Sequence, residues 1–346
     1  MINYTLISVI CKYRKSITKK ERKFMNAIAD IVKILKEEDN FLITTHVRPD
    51  GDCIGSQLAM GLILKKLRKR FEIINPDPPR KKFEFLPLFD RIRTAWQENE
   101  LYTVSIILDC GKWVRVGDVA SIAQKSSTVI NIDHHIDSQG IGKFNYINPQ
   151  HSSTGEMLFY VLSSAGINLD PDIATCLYVA ILSDTGRFRY SNTRSATLRV
   201  VADLLDTGIN HEEIIGKIVA MENPLSLKLY SRIFSTVQTN SFNKIVWCTL
   251  YNNIQNDFLC ASLEVESDKI FDELRTLKGF DVYLLFTELP ENKFRVSFRS
   301  NIGIDVSDIA RLFGGGGHAQ ACSCIIEGNL HNIQYNVIEK VERLFR

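Results

Sequence analysis

The fold is inferred outward from one stretch, Phe41 to Arg70: FLITTHVRPDGDCIGSQLAMGLILKKLRKR. Its first six residues predict a short buried strand, and the residues after the acidic loop predict a helix whose basic end suits a helix C-terminus. The loop between them carries His46, Asp50 and Asp52. Because two neighbouring carboxylates repel each other unless a positive group lies between them, this unit predicts a cation site as well as an α/β fold.

The same alternation of strand and helix continues to about Gly208. Three further apolar runs predict strands: FEIINPD, TVSIILDCG and STVINIDHH. Four segments have helical spacing: AIADIVKILKEED, TGEMLFYVLSSAG, DIATCLYVAILSDTG and TRSATLRVVADLLDTG. Strands that alternate with helices predict a doubly wound, mostly parallel sheet.

The pattern changes after Gly208. A polar-rich helical stretch, broken near Pro224, is interpreted as a connecting segment. Two strand-rich segments follow, KIVWCTLY and GFDVYLLFTELPENKFRVSFRS, and the chain ends in a helix. We therefore expect a second, smaller α/β domain. The expected divisions are a basic extension at 1–24, a first domain at 25–208, a helical linker at 209–237 and a second domain at 238–346.

Bulk composition is that of a soluble globular protein of two domains. The chain has 346 residues, of which 45% are hydrophobic and 24% charged, with a net charge of +2. No apolar run approaches the roughly 18 residues of a membrane span. An apolar decapeptide precedes seven Lys and Arg residues between Lys12 and Lys23, the reverse of a secretory signal. With eight cysteines and no CxxC pair, we expect reduced thiols in the cytoplasm and no membrane partner.

Acidic and imidazole side chains recur where apolar segments end. Asp109 ends SIILD, Asp133, His134 and His135 end VINI, and Asp184 ends YVAIL. In an open α/β sheet, ligands bind at the carboxyl ends of the strands. If the strands are neighbours, these groups converge with those of the first loop on one crevice.

A crevice with several carboxylates predicts divalent cations. Such groups cannot all stay ionised without positive charge between them, and carboxylate with imidazole suits Mn, Zn, Fe or Mg. Two ions about 3.5–4 Å apart are the arrangement that activates a water molecule and clamps a phosphoryl group. Each residue alone has an ordinary alternative: Asp50 with Gly51 as a turn, Asp52 as a helix cap, Asp133 to His135 as a solvated loop. Their shared position at strand ends favours the metal interpretation.

The pattern resembles the DHH phosphoesterase superfamily. HVRPDGD, ILDCG, DHH and LSDTG resemble its four motifs in order, and DVSDIARLFGGGGHAQAC resembles the glycine-rich motif of the DHH-associated C-terminal domain. The resemblance spans about Ile28 to the C-terminus, and within the superfamily it is to the group of bifunctional oligoribonucleases and pAp phosphatases.

The resemblance implies roles for the acidic and histidine residues. One metal would be held by His46, Asp50 and Asp109, and the other by Asp52, Asp109, His134 and Asp184, with Asp109 bridging. His135 would face the substrate phosphate and the leaving group, and Asp133 would orient the cluster; with Asp109 these form the expected catalytic set. The resemblance favours Mn²⁺ for two divalent ions, with Mg²⁺, Zn²⁺ and Co²⁺ left open.

The second domain is expected to hold substrate. In FRVSFRS, Val296 and Phe298 point one way, and Arg295 and Arg299 the other, where they are either solvated or grip a phosphate. The run of four glycines lets backbone N–H groups approach an anion. The resemblance implies that the non-scissile phosphate or terminal nucleotide is held by Arg299, Ser300, Gly315, Gly316, Gly317 and His318. Arg295 and Arg187 are further candidates.

We therefore expect a metal-dependent phosphodiesterase and phosphatase. Its substrates would be very short single-stranded RNA or DNA oligonucleotides, dinucleotides and the 3′-phosphate of pAp. A cyclic-dinucleotide phosphodiesterase is one alternative, and an inorganic pyrophosphatase is another, against which the GGGGH element argues. A non-catalytic nucleotide-binding protein is expected to lack a metal ligand, and none is missing. A homodimer remains open.

Overall fold

The computed structural model describes residues 19–219, 224–241, 243–259, 265, 267–301 and 303–345. The described chain forms two compact units, the first of which ends at Val219. Residues 1–18, most of the expected basic extension, lie outside the described part.

The first unit is built on a parallel sheet of six strands in the order β3-β2-β1-β4-β5-β6. Its strands are β1 Phe41–Thr44, β2 Phe71–Ile74, β3 Ile92–Arg93, β4 Val104–Leu108, β5 Thr128–Asp133 and β6 Phe144–Ile147. The strand order reverses between β1 and β4, which is where open α/β sheets form their binding crevice. The predicted doubly wound parallel sheet is confirmed.

Helices cover both faces of this sheet. They are α1 Lys19–Glu37, α2 Gly51–Lys66, α3 Trp113–Val116, α4 Ala120–Ala123, α5 Thr154–Ala165, α6 Pro171–Asp184, α7 Ser195–Leu205 and α8 His211–Val219. One face packs in a large apolar core that includes Ile54 and Ile181, and the other in a smaller one that includes Ile107 and Ile122. No helix among the described residues is long and apolar enough to cross a membrane.

The N-terminal caps of α2 and α5 fix the positions of the first turns of these helices. Asp50 caps α2, since its Oδ1 accepts hydrogen bonds from the N–H groups of Asp52 and Cys53. Asp52 is therefore not the cap, and it lies buried in the first turn of the helix. Ser153 caps α5 by accepting from the Glu156 N–H, and Gly166 ends that helix in the left-handed conformation.

The second unit has a mixed six-stranded sheet in the order β11-β12-β10-β9-β8-β7, in which only β8 and β9 pair in parallel among the described strands. The strands are β7 Gln238–Thr239, β8 Ile245–Leu250, β9 Val282–Leu289, β10 Lys293–Ser300, β11 Gly316–His318 and β12 Ala321–Glu327. The helices are α9 Pro224–Phe234, α10 Asn252–Leu259, α11 Ser267–Leu274, α12 Ser307–Leu312 and α13 Leu330–Glu342.

Two apolar cores lie on the two faces of this second sheet. Val296 and Phe298 of β10 pack in the core that contains Val337 of α13, as the alternation in the sequence predicts. Tyr283 of β9 packs in the other core with Phe271 of α11. A smaller α/β unit after the parallel sheet is thus confirmed.

Two features of the fold were not anticipated from sequence. The short strands β3, β6, β7 and β11 went unrecognised, because two to four residues at a sheet edge carry too little periodicity. The segment interpreted as a linker at 209–237 is divided between the units: Ile214 of α8 packs in the first core, and Leu229 of α9 packs in the second unit.

A matched pair of glycine substitutions tests the packing of α2 against α6. A Cβ on Gly55 would lie 2.4 Å from the Cys176 carbonyl oxygen, whereas a Cβ on Gly216 in α8 meets nothing within 4 Å. We expect Gly55→Ala to lower the free energy of unfolding by about 1–3 kcal/mol through overpacking. Gly216→Ala should raise it by about 0.5–1 kcal/mol, because alanine loses less entropy in a helix. Urea denaturation monitored by circular dichroism measures both, and equal effects would contradict the packing.

Candidate metal centre

The chain brings six predicted metal ligands together at the carboxyl end of the parallel sheet. His46 follows β1, Asp109 follows β4 and His134 follows β5, so the carboxyl ends of three neighbouring strands supply them. The other three lie at helix ends: Asp50 and Asp52 at the start of α2, and Asp184 at the end of α6. The convergence predicted from strand ends is therefore present in the geometry.

The first group of donor atoms surrounds His46. His46 Nδ1 lies 2.7 Å from the Val47 carbonyl oxygen, so Nδ1 carries the hydrogen and Nε2 presents its lone pair. That Nε2 lies 3.8 Å from Asp109 Oδ2. Asp50 and Cys53 each offer an atom to the same group, in which all donors lie within 4.8 Å of one another.

The second group surrounds His134. His134 Nε2 lies 3.2 Å from Asp184 Oδ2, 3.4 Å from Asp109 Oδ1 and 3.7 Å from Asp52 Oδ2. One imidazole nitrogen thus faces three carboxylates, which come from the end of β4, the start of α2 and the end of α6.

Asp109 stands between the two groups. Its Oδ2 faces His46 and its Oδ1 faces His134. The residue has a φ of 57°, a left-handed conformation that aspartate tolerates better than most residues. Its N–H still donates to the Ile132 carbonyl of β5, so the turn begins directly at the end of the strand. This backbone turn directs the carboxylate to where both groups can share it.

His135 and Asp133 form a hydrogen-bonded pair beside the cluster. Asp133 Oδ1 lies 2.7 Å from His135 Nδ1 and accepts from the His135 N–H at 3.2 Å. The same imidazole nitrogen lies 3.6 Å from Asp109 Oδ1. A Cβ on Gly111 would come within 2.6 Å of Asp133 Oδ2, so a glycine at that position leaves room for the carboxylate.

The first turn of α5 contributes contacts that sequence reasoning missed. The N–H groups of Thr154 and Gly155 donate to Asp52 at 2.7 and 3.0 Å, and the Thr154 hydroxyl donates to Asp109 Oδ1 at 3.1 Å. A helix N-terminus stabilises a carboxylate through its free N–H groups and its dipole. The available signal was the helix-capping Ser153 followed by the small Thr154 and Gly155.

Two of the carboxylates are held near protonation. Burial, followed by the charges of Asp109 and Asp184, raises the pKa of Asp52 well above its usual range. Burial also raises the pKa of Asp184 to about 7, where the negative charges of Asp109 and Asp50 oppose the attraction of His134. Like charges at this density favour a proton in place of one negative charge.

Asp109 and His134, in contrast, have pKa values that favour their charged forms. Burial works against charge on Asp109, but the hydrogen bond from His134 and the nearby imidazoles hold the pKa of Asp109 well below its usual range. Burial likewise opposes charge on His134, yet the carboxylates of Asp184 and Asp109 raise the pKa of His134 well above its usual range. A proton on His134 thus neutralises part of the negative charge of the cluster.

The donor set fits divalent cations. Carboxylate oxygens and imidazole nitrogens are ligands for Mn²⁺, Mg²⁺, Zn²⁺ and Co²⁺, and the excess of negative charge here requires a positive partner. The Cys53 thiol lies 3.3 Å from Asp109 Oδ2, and burial raises the pKa of Cys53, so it remains a thiol that donates to this carboxylate.

The second unit holds most of the predicted substrate residues. Arg299 is 25% exposed in its side chain, lies over the Phe271 ring at 4.8 Å and contacts Asp268 Oδ1 at 3.4 Å. Ser300 is buried, and its hydroxyl donates to the Ile304 carbonyl at 2.6 Å. The hydroxyl proton of Ser300 is therefore engaged within the unit. The Arg299 guanidinium also donates from Nη1 to the Phe298 carbonyl at 3.0 Å, so a ring face, a carboxylate and a carbonyl hold it.

The glycine run is explained partly by packing. A Cβ on Gly315 would lie 2.2 Å from the Ser323 carbonyl oxygen, and a Cβ on Gly317 would lie 2.6 Å from that of Ala321, so both glycines permit close approach to β12. Gly316 meets nothing within 4 Å. The backbone of His318 ends β11, and its side chain lies outside the described part of the protein.

Arg295 and Arg187, the other two arginines predicted to bind substrate, lie in different units. Arg295 shares the partly exposed face of β10 with Arg299, as the alternation predicted. Arg187 lies in the first unit directly after α6, with a left-handed φ of 61°, and its N–H donates to the Leu182 carbonyl and closes the helix. The roles of these residues in binding stay predictions.

Family models match both units. The DHH family, N-terminal domain, matches residues 40–181, and the DHHA1 domain matches residues 263–345. The first match contains five of the six predicted metal ligands, all but Asp184, and the second contains the glycine run.

Whole-length relatives agree with these matches. The chain is 31% identical to the bifunctional oligoribonuclease and PAP phosphatase NrnA of Thermus thermophilus, over 92% of this chain and 93% of that protein. It is 25% identical to the protein of the same name from Bacillus subtilis, over 86% and 92%. In structure it is similar to an exopolyphosphatase-related protein from Bacteroides fragilis, with a TM-score of 0.85, 22% identity and coverage of 93% and 98%.

The raised pKa of Asp184 predicts that metal affinity depends on pH. With a pKa of about 7, Asp184 binds a proton at pH 6 that a cation must displace, and has largely lost it at pH 8. We expect the Mn²⁺ dissociation constant to rise by about tenfold for each pH unit below 7 per displaced proton. Calorimetry in two buffers of different ionisation enthalpy measures the protons released, and Asp184→Asn should reduce their number. An affinity that is constant from pH 6 to 8 would contradict this account.

Proposed function

This chain is a hydrolase of the DHH family, and we propose that it degrades very short oligoribonucleotides to mononucleotides and removes the 3′-phosphate from pAp. The proposal draws its substrates from relatives named bifunctional oligoribonuclease and PAP phosphatase, which align over most of both chains. It draws its chemistry from the donor groups at the edge of the parallel sheet.

The observation that carries the proposal is the position of Asp109. One carboxylate reaches His46 through Oδ2 and His134 through Oδ1. We propose that His46, Asp50 and Asp109 hold one divalent ion, and that Asp52, Asp109, His134 and Asp184 hold a second. The family resemblance favours Mn²⁺. When bound, two such ions supply an activated water molecule and neutralise charge on the attacked phosphoryl group.

The chain's own residues then place protons and substrate. Asp133 holds His135 Nδ1 at 2.7 Å, which fixes the imidazole and stabilises its protonated form. Burial disfavours that charge, but the hydrogen bond that His135 donates to Asp133 and the charge of Asp109 raise the pKa of His135. We propose that His135 gives its proton to the leaving oxygen, a role that suits an imidazole charged near neutral pH.

We propose that the two units have different roles, with the first, which includes residues 25–208, as the catalytic domain and the second, which includes residues 238–346, as the substrate-binding domain. The segment at 209–237, expected to be a linker, packs partly in each unit. Arg299 on β10 is the main candidate for a phosphate contact, because a guanidinium donates two parallel hydrogen bonds to a phosphate. Gly316 is a second candidate, since the residue is exposed and a Cβ at that position would meet nothing within 4 Å. A non-catalytic binding protein would not need the complete donor set that this chain carries.

A panel of substrates tests the reaction. With Mn²⁺, the purified protein should release a mononucleotide from a 5′-labelled dinucleotide and orthophosphate from pAp, with turnover that falls as RNA length increases. Pyrophosphate should not be hydrolysed. Asp109→Ala should abolish every activity, because it removes the carboxylate shared by both donor groups. Turnover that increases with RNA length, or hydrolysis that survives exhaustive chelation, would refute the proposal.

Arg299 provides a separate test of substrate capture. A hydrogen bond to a charged group contributes about 1.5–3 kcal/mol, so Arg299→Ala should raise KM for the dinucleotide by at least about tenfold and change kcat less. Arg299→Lys should recover part of the lost substrate affinity, because lysine keeps the positive charge but cannot donate two parallel hydrogen bonds. Arg343→Ala is the matched control, since Arg343 is an exposed arginine that pairs with Glu339. Steady-state kinetics that gave an unchanged KM for Arg299→Ala would remove this residue from the site.

A further inference from the structure

Glu156 of α5 is a buried carboxylate outside the two donor groups. It is 1% exposed and accepts four hydrogen bonds. Its Oε1 lies 2.9 Å from His151 Nδ1. Its Oε2 accepts from the Ser152 N–H at 2.9 Å, from the Ser152 hydroxyl at 2.6 Å and from the Thr197 hydroxyl at 2.9 Å. A buried carboxylate with this many donors holds its surroundings in one arrangement.

The first consequence concerns the start of α5. Ser152 is tied to Glu156 through both its N–H and its hydroxyl, and the next residues are the helix cap and the first turn. In that turn, the Thr154 and Gly155 N–H groups bind the Asp52 carboxylate, and the Thr154 hydroxyl binds Asp109. Glu156 therefore sets the position of the donors that orient two proposed metal ligands.

The second consequence concerns the end of α6. The Ser152 carbonyl accepts from Asn192 Nδ2 at 3.0 Å, and the same amide nitrogen donates to the Asp184 carbonyl at 3.0 Å. One amide group thus joins the segment held by Glu156 to the backbone of a third proposed ligand. The chain of contacts runs from Glu156 through Ser152 and Asn192 to Asp184.

Glu156 is charged when it does this. Burial by itself raises a carboxyl pKa, but the hydrogen bonds from His151 and Ser152 lower the pKa of Glu156 to about 2. The ionised carboxylate accepts from all of its donors at once. His151 is held in turn from its other side, where its Nε2 lies 3.1 Å from the Tyr146 hydroxyl.

We infer that Glu156 is a positioning residue for the metal centre. Through Ser152 it fixes the first turn of α5 against Asp52 and Asp109, and through Asn192 it fixes the backbone of Asp184, so that this half of the site is assembled before a cation arrives. The inference rests on the proposed metal centre and does not depend on the identity of the substrate. Residues that orient metal ligands typically change metal affinity by about 10–100-fold when they are removed.

Direct metal binding tests the inference. We expect Glu156→Ala to raise the Mn²⁺ dissociation constant by about 10–100-fold, measured by calorimetry or from the electron paramagnetic resonance signal of free Mn²⁺. Glu156→Gln should bind close to the wild-type value, because the amide oxygen can still accept from Ser152 and Thr197. In a dinucleotide assay, Glu156→Ala should require more Mn²⁺ for half-maximal rate and recover most of its kcat at saturating metal.

A stability-matched variant separates positioning from general loosening. Val161 is a fully buried residue of the same helix with apolar surroundings. Val161→Ala should lower the melting temperature without removing any hydrogen-bond partner of Glu156. We expect Val161→Ala to bind Mn²⁺ as the wild type does. If its affinity falls as far as that of Glu156→Ala at an equal loss of melting temperature, the inference is overturned.

Substitution of Asn192 provides a second, independent test if the Glu156→Ala protein does not fold. We expect Asn192→Ala to weaken Mn²⁺ binding, and the double variant with Glu156→Gln to show no further loss beyond Asn192→Ala. Wild-type Mn²⁺ affinity in Asn192→Ala would overturn the part of the inference that links Glu156 to Asp184. Wild-type affinity in Glu156→Ala would overturn the whole inference. Because these readouts use the metal alone, a protein that binds Mn²⁺ as expected but hydrolyses no short RNA would refute the proposed function and leave this inference intact.

Discussion

The mutual repulsion of four aspartates is the constraint on which this part of the molecule depends. Asp50 and Asp109 offer donor atoms beside His46, and Asp52, Asp109 and Asp184 offer donor atoms beside His134. Like charges at this spacing cannot all be ionised without compensation. Bound protons supply part of that compensation, because burial and the neighbouring carboxylates raise the pKa values of Asp52 and Asp184, and the carboxylates also raise that of His134. Divalent cations would supply it in the active enzyme. Metal binding is therefore coupled to the release of protons.

The fold resists this repulsion with backbone dipoles as well as with side chains. The start of α2 is capped by Asp50, and the start of α5 directs two N–H groups at Asp52, so two helix N-termini face the cluster. The buried network of Glu156 holds the second of these helix ends in place. An energetically costly arrangement of acids is thus stabilised by groups that bind no metal themselves, a common feature of metal sites in which the surrounding shell tunes the ligands.

Much of this arrangement could be predicted from the sequence, and the misses have physical causes. The buried strands β1, β4 and β5 were predicted because each is an apolar run, and the polar residues that end them indicated the crevice. The edge strands β3 and β6 were missed because they are short. The contacts of Thr154 and Gly155 with Asp52 were missed because a backbone N–H group has no signature in the sequence, and the partners are 102 and 103 residues apart. Packing of Gly315 and Gly317 on β12 was hidden for the same reason, since four glycines alone do not reveal what approaches them.

The sequence by itself determined the alternation of strands and helices, the edge of the sheet at which polar side chains collect, and the donor chemistry of those side chains. These follow from periodicity and residue type, which are local properties. Only the tertiary structure decided that Asp50 rather than Asp52 caps α2, that Asp109 turns into a left-handed conformation between two donor groups, and that Glu156 is linked to Asp184 through Ser152 and Asn192. Each of these depends on distances between atoms far apart in the chain, and packing of the whole unit fixes those distances.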